Sequence, residues 1–213
     1  VDGAAGDGAS VALGAYSLAS GYGGTALGAH SIAKDLDSTA VGKIAEANGR
    51  SSTAVGQRSQ ATERGTATGA ESKALGMNST AMGENSKVNS MNSIAVGSKA
   101  KVETGQNSVT VGSNTEIRGH KIASVGANTK ISSANVSTLG ADITVGTNRD
   151  GAVVLGHNSD AGEDTIITAV NSAKTGKPVL IYHGFAGNLG ATKTDGSSAE
   201  DVEDALNGRF VSV

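Results

Sequence analysis

Cysteine is absent from the 213 residues, so disulfides, thiol chemistry and thiolate metal sites are all excluded. Such an absence suits export through an oxidising compartment. Aromatics are almost missing too: three Tyr, two Phe and no Trp, too few for an ordinary core. Proline occurs once. There is no apolar run of 18 residues, so no segment reads as a membrane-spanning helix. There is no excess of basic residues either: the net charge is −3 and the pI about 5.8, which leaves no footprint for nucleic acid. No leader pattern precedes Val1, so an exported protein of this kind is expected to carry its export signal and its anchor outside the sequence.

What is present is glycine, 31 residues, roughly twice the usual share. With low net charge and regularly placed Val and Leu, that composition points to a periodic fold, not to disorder. The period is visible. Val11-Ala12-Leu13-Gly14, Thr25-Ala26-Leu27-Gly28, Thr39-Ala40-Val41-Gly42 and Thr53-Ala54-Val55-Gly56 recur at 14 residues. The series continues through Thr80-Ala81-Met82-Gly83 and Ile94-Ala95-Val96-Gly97, then loosens to Val109-Thr110-Val111-Gly112 and Val153-Val154-Leu155-Gly156. Counting Gly69, Gly126 and Gly140, the glycines mark eleven turns, with slips of 13, 15 and 16. Periods of this size signal solenoids.

Three positions after each glycine comes a small residue such as Ser17, Ser31 or Ser59, and five positions after it Ala19, Ala33, Ala47, Ala61 and Ala74, then Val88, Val102 and Ile117. Alternation on both sides of the glycine reads as two short strands per repeat, with Asn-Ser, Asp-Gly and Ser-Ser pairs as turns. Two strands and two turns make one coil of a flattened all-β solenoid. Stacked at about 4.8 Å, eleven coils give a rod roughly 50 Å long. The apolar residue before each glycine (Leu13, Leu27, Val41, Val55) is expected inside. The alanines Ala12, Ala26, Ala40, Ala54, Ala67, Ala81 and Ala95 are expected on the opposite face, as a flat wall for another copy of the chain. Each coil has only one or two large apolar side chains, so a lone roll reads as marginal against chain entropy. Larger residues in the later coils are expected to widen the roll towards its C-terminal end.

Asn92-Ser93-Ile94-Ala95-Val96-Gly97 followed by Ala100, and Ser10-Val11-Ala12-Leu13-Gly14 followed by Ser17 and Ala19, resemble the repeat of YadA-like heads of trimeric autotransporter adhesins. The resemblance covers residues 8–161, about three quarters of the chain. It implies a left-handed parallel β-roll, a homotrimer, and display on the outer membrane of a Gram-negative bacterium through a C-terminal anchor lying beyond this sequence. It also implies partners among host matrix proteins such as collagen, fibronectin or laminin, or neighbouring cells. The last turns depart from the pattern, with Thr110, Ser124, Thr138 and Val154 at the usual Ala position.

The roll is assigned to residues 1–161 and a small β-rich C-terminal unit to 162–213. In that unit 165–170 and 178–185 read as strands. The Ser197-x-x-Glu200 spacing and Gly208 frame a short helix over 199–207. No chemistry stands out. His30, His120, His157 and His183 have no metal-ligand spacing, the carboxylates do not converge, and no Gly-x-Ser-x-Gly elbow occurs. Neither enzyme nor cofactor is expected. A hexapeptide-repeat acyltransferase would need an 18-residue coil. Ice binding through the column Thr25, Thr39, Thr53, Thr66, Thr80 is an alternative, as is a structural spacer; the threonines share the side of Leu13 and Val41, which argues for their burial.

Positions two and four after each glycine are expected to face outward. From the fourth coil they are polar (Arg58, Gln60, Lys73, Lys87, Lys99, Lys101), but the first three coils place Tyr16, Leu18, His30, Ile32 and Ile44 there. Contiguous exposed apolar and aromatic residues mark contact, so these five are the candidate ligand-binding residues. The competing reading is that a preceding segment covers them.

Overall fold

The structure is a computed structural model that describes residues 3–6 and 8–159, together with the backbone of Asp160–Ala161, Val170–Asn171 and Pro178–Val179. The described chain is a parallel β-solenoid. Strands of three residues form one sheet, eleven strands deep, and strands of two residues form a second, twelve deep. These are called the long-strand and short-strand sheets below. Each strand pairs in parallel with its equivalent one coil on, as Thr25↔Thr39 and Thr39↔Thr53 in the first sheet and Leu18↔Ile32 in the second. The only other described pairing is the antiparallel one of Val170–Asn171 with Pro178–Val179. The remaining expectations for 162–213, the helix over 199–207 among them, lie outside the described residues.

One coil shows why these residues fold this way. Thr25–Leu27 forms a long strand. Gly28 then turns the chain with φ 133°, and a Cβ there would lie 2.6 Å from the Gly42 carbonyl oxygen of the next coil, so only glycine fits. His30 takes the left-handed conformation at φ 57° and Ser31 turns inward. Ile32–Ala33 forms the short strand, Asp37 takes the second left-handed position, and Ser38 turns inward again. Asn holds many of these corner positions, among them Asn78, Asn92, Asn114 and Asn128, because it tolerates that conformation better than most residues. This accounts for the Asn-Ser pairs: the Asn makes the corner and the buried Ser closes it. In the first corner Ser17, Ser31, Ser59, Ser72 and Ser86 each donate from Oγ to the preceding glycine's carbonyl at 2.8–2.9 Å.

The interior corrects the sequence reading. Ala26, Ala40, Ala54, Ala67, Ala81 and Ala95 have no exposed surface, whereas Leu13 is 69%, Val125 48% and Leu139 57% exposed. The two sets do lie on opposite faces, as alternation requires, but the faces are reversed. The cause is space. Within a coil, Cα atoms of the facing strands lie within 8 Å of one another, closer than the roughly 10 Å of ordinary packed sheets. A coil such as 25–38 therefore closes over Ala26, Ser31, Ala33 and Ser38 alone, all fully buried, and a Leu has nowhere to go. The threonine column shares the outer face with Leu27 and Val41 and is half-buried.

Towards the C-terminal end the interior enlarges. Val88, Val102, Ile117, Ile131 and Val145 replace Ala in the short-strand sheet, and Ile122, Val136 and Ile143 replace Ser or Ala at the corners. Beyond the coil of Ile94–Val96 and Lys101–Val102, the close approach of facing strands is largely lost. The roll widens as its core side chains grow.

Candidate adhesive surface

The outward positions of the first three coils form two adjoining columns. Tyr16, His30 and Ile44 occupy the first-corner position with φ 58°, 57° and 60°. They are held in line by backbone bonds from His30 N–H to the Ala15 carbonyl at 2.8 Å and from Ile44 N–H to the Ala29 carbonyl at 2.9 Å. The Tyr16 and His30 rings stack, with centroids 4.9 Å apart and an interplanar angle of 15°. Beside them Leu18 and Ile32 are register partners on the outer face of the short-strand sheet. Tyr16, Leu18 and His30 are exposed, and Ile32 and Ile44 half-buried. The structure thus joins Tyr16 to His30 and Leu18 to Ile32, with Ile44 next on the corner column.

Ile44 is the unusual member. A β-branched residue in the left-handed region is a genuine outlier, costing about 1–2 kcal/mol, at a column position that later coils give to Asn85, Asn114 and Asn128. Strain of this kind clusters at functional sites. The column turns polar at once afterwards, with Arg58 bonded to Glu71 at 3.2 Å.

A second surface was missed in the sequence because the faces were reversed. Along the outer side of the long-strand sheet, Val11, Leu13, Met82, Ile94, Val109, Val111, Val125 and Leu139 are exposed, interspersed with half-buried Leu27, Val41, Val55 and Val96. This is an apolar strip that runs along the rod and is interrupted at the coil of Thr66 and Thr68, where Thr68 lies between Val55 and Met82 in register. The signal lay in the repeats themselves: the Ala column never admits a large residue in its first seven coils, while the flanking columns vary freely in size. A confined column is an interior one.

The YadA head domain repeat (2 copies) matches the chain in seven overlapping segments, 4–31, 19–43, 33–59, 47–72, 63–86, 74–100 and 91–115. Together they span 4–115, just over half of the chain. The chain belongs to the YadA head family. That family is one of surface adhesins, adhesive and structural in role, and the repeat it shares includes the whole of the apolar patch. The match stops at 115, just after the buried Ala column gives way to Thr110, and Ser124 follows in the next coil. A comparison with curated proteins found no match.

Proposed function

We propose that the chain is the head of a homotrimeric adhesin displayed on the outer membrane of a Gram-negative bacterium, and that it contacts an extracellular matrix protein such as collagen, fibronectin or laminin, or a neighbouring cell. The observation that carries the adhesive part is the patch of exposed Tyr16, Leu18 and His30 with half-buried Ile32 and Ile44, on a rod whose corresponding positions are otherwise polar. A stacked Tyr with a free polar tip suits an interface, and the strained Ile44 is a cost that the fold does not require.

The strip on the long-strand sheet supports self-association. Exposed apolar rows of this length mark protein contact, and a face repeated at one height per coil can meet its own copies around an axis along the rod. The chain-to-chain contact is therefore assigned to the Leu/Val strip. The Ala column lies inside the roll, and charging Ala54 or Ala67 would break the coil itself. The test of the adhesive reading is solid-phase binding of the purified head to immobilised collagen, fibronectin and laminin, with Tyr16→Ser/Ile32→Ser beside the parent. Binding that falls in the double variant while assembly persists supports the patch; binding that stays unchanged excludes it.

One observation favours a second reading. The threonine column Thr25, Thr39, Thr53, Thr66 and Thr80 faces outward in register, so the argument from burial against ice binding falls away. The column shares its face with Leu27, Val41, Val55 and Met82, which fits a covered contact better than a wet one. Thermal hysteresis of the purified head separates the two.

A further inference from the structure

A shallow groove runs along the outer short-strand side of the rod, across the four coils that begin at Gly83, Gly97, Gly112 and Gly126. Its corner wall is the column Asn85, Lys99, Asn114 and Asn128, and its floor carries Lys101 and Lys130. The corner residues sit at left-handed φ of 57°, 58°, 56° and 53°, which stacks their side chains on one edge. Lys99 is the one departure from Asn among them. On the floor, Lys101 and Lys130 flank Glu116 in register. Glu116 is ion-paired with Arg118, and Lys87 nearby is paired with Glu103 at 3.6 Å. Among the described residues none of Lys99, Lys101 and Lys130 is in an ion pair. Three lysines therefore line one groove against a single carboxylate, Glu116, in a chain whose net charge is −3.

We propose that this groove binds a sulfated polysaccharide of the extracellular matrix. Four coils at about 4.8 Å each span roughly 14 Å between the first and the last, the reach of a short run of sugar rings. Asn amides offer donors and acceptors to sugar hydroxyls, and here they are aligned by a ladder in which Asn114 Nδ2 donates to Asn128 Oδ1 at 3.0 Å and Asn128 Nδ2 to Asp142 Oδ1 at 2.9 Å, each amide keeping a second N–H for a ligand. Lysines supply compact positive charges with rotatable donors, which can meet the oxygens of successive sulfates along a chain. Nucleic acid fits less well, because the groove has no aromatic for base stacking. A lipid surface would need an apolar anchor beside the charges, and the groove has none. This site is separate from the Tyr16 patch and does not depend on it.

The test is retention of the full chain on immobilised heparin, read as the affinity at physiological salt and its salt dependence. Lys99→Ser/Lys101→Ser/Lys130→Ser is expected to weaken binding by roughly tenfold or more and to flatten the salt dependence, since fewer counterions are released. Lys34→Ser/Lys43→Ser/Lys121→Ser removes the same charge from exposed positions elsewhere and should leave binding nearly unchanged, as should Tyr16→Ser/Ile32→Ser. Soluble heparin should compete and unsulfated hyaluronan should not. No retention of the parent chain, equal loss in both lysine triples, loss in the Tyr16/Ile32 variant, or equal competition by hyaluronan would each overturn the proposal.

Discussion

Placing leucine at position 54 or at position 55 decides which face of the roll is inside. Ala54 is fully buried, stacked in register between Ala40 and Ala67 and faced by a strand whose Cα atoms lie within 8 Å. Ala54→Leu adds three carbons to a space already filled by Ala and Ser. Overpacking of this kind costs about 1–3 kcal/mol, and here the upper end applies, because the surroundings are backbone and methyl groups with no rotamers to yield. For a chain of this size that is a fall in Tm of roughly 6–12 °C. Val55→Leu, one residue on, adds a single carbon on the outer face, in a column that already holds Leu27 and Leu139, and should stay within about 0.5 kcal/mol. Thermal and denaturant unfolding of both variants, at one protein concentration because assembly shifts Tm by mass action, gives the comparison. A Val55→Leu variant less stable than Ala54→Leu would refute the assignment of the alanine column to the core.

Gly28→Ala should cost more than about 2 kcal/mol by thermal melting, because φ 133° is foreign to an L-residue and the new Cβ would lie 2.6 Å from the Gly42 carbonyl oxygen. Thr110→Val and Thr115→Val should each raise stability by about 1 kcal/mol in denaturant unfolding, since both hydroxyls are buried without a hydrogen-bond partner; a loss would mean that water satisfies them. Ile44→Asn should stabilise the head by about 1 kcal/mol by relieving the left-handed isoleucine, while weakening capture by a matrix ligand in the solid-phase assay.

Much of this was legible in the sequence. The spacing of the glycines gave the coil, the alternation around them gave two strands, and the Asn-Ser pairs gave the corners. Tyr16, Leu18, His30, Ile32 and Ile44 could be placed outward by counting from Gly14, Gly28 and Gly42. The inside of the roll is not legible from residue size: Leu13 and Val55 are larger than Ala12 and Ala54, and in most folds the larger residue goes in. Here the separation of the sheets reverses that rule, and separation is a property of the closed coil, not of any one strand. The stacking of Tyr16 on His30 depends on side-chain geometry that spacing alone does not carry. The groove needed the register across the 15-residue coil, which brings Lys130 into line with Lys101 through Glu116. The widening of the roll was readable from Val88 and Ile117, because there the size of the side chain sets the distance between the sheets.

A single chain leaves the apolar strip of the long-strand sheet uncovered, and sedimentation equilibrium of the 213-residue chain tests most directly whether other copies cover it. Three chains of 20.9 kDa predict a particle of about 63 kDa, reduced to one chain when Val55 and Val111 on that strip are changed to Glu. A folded, stable species at the mass of one chain, in the unaltered protein, would contradict it.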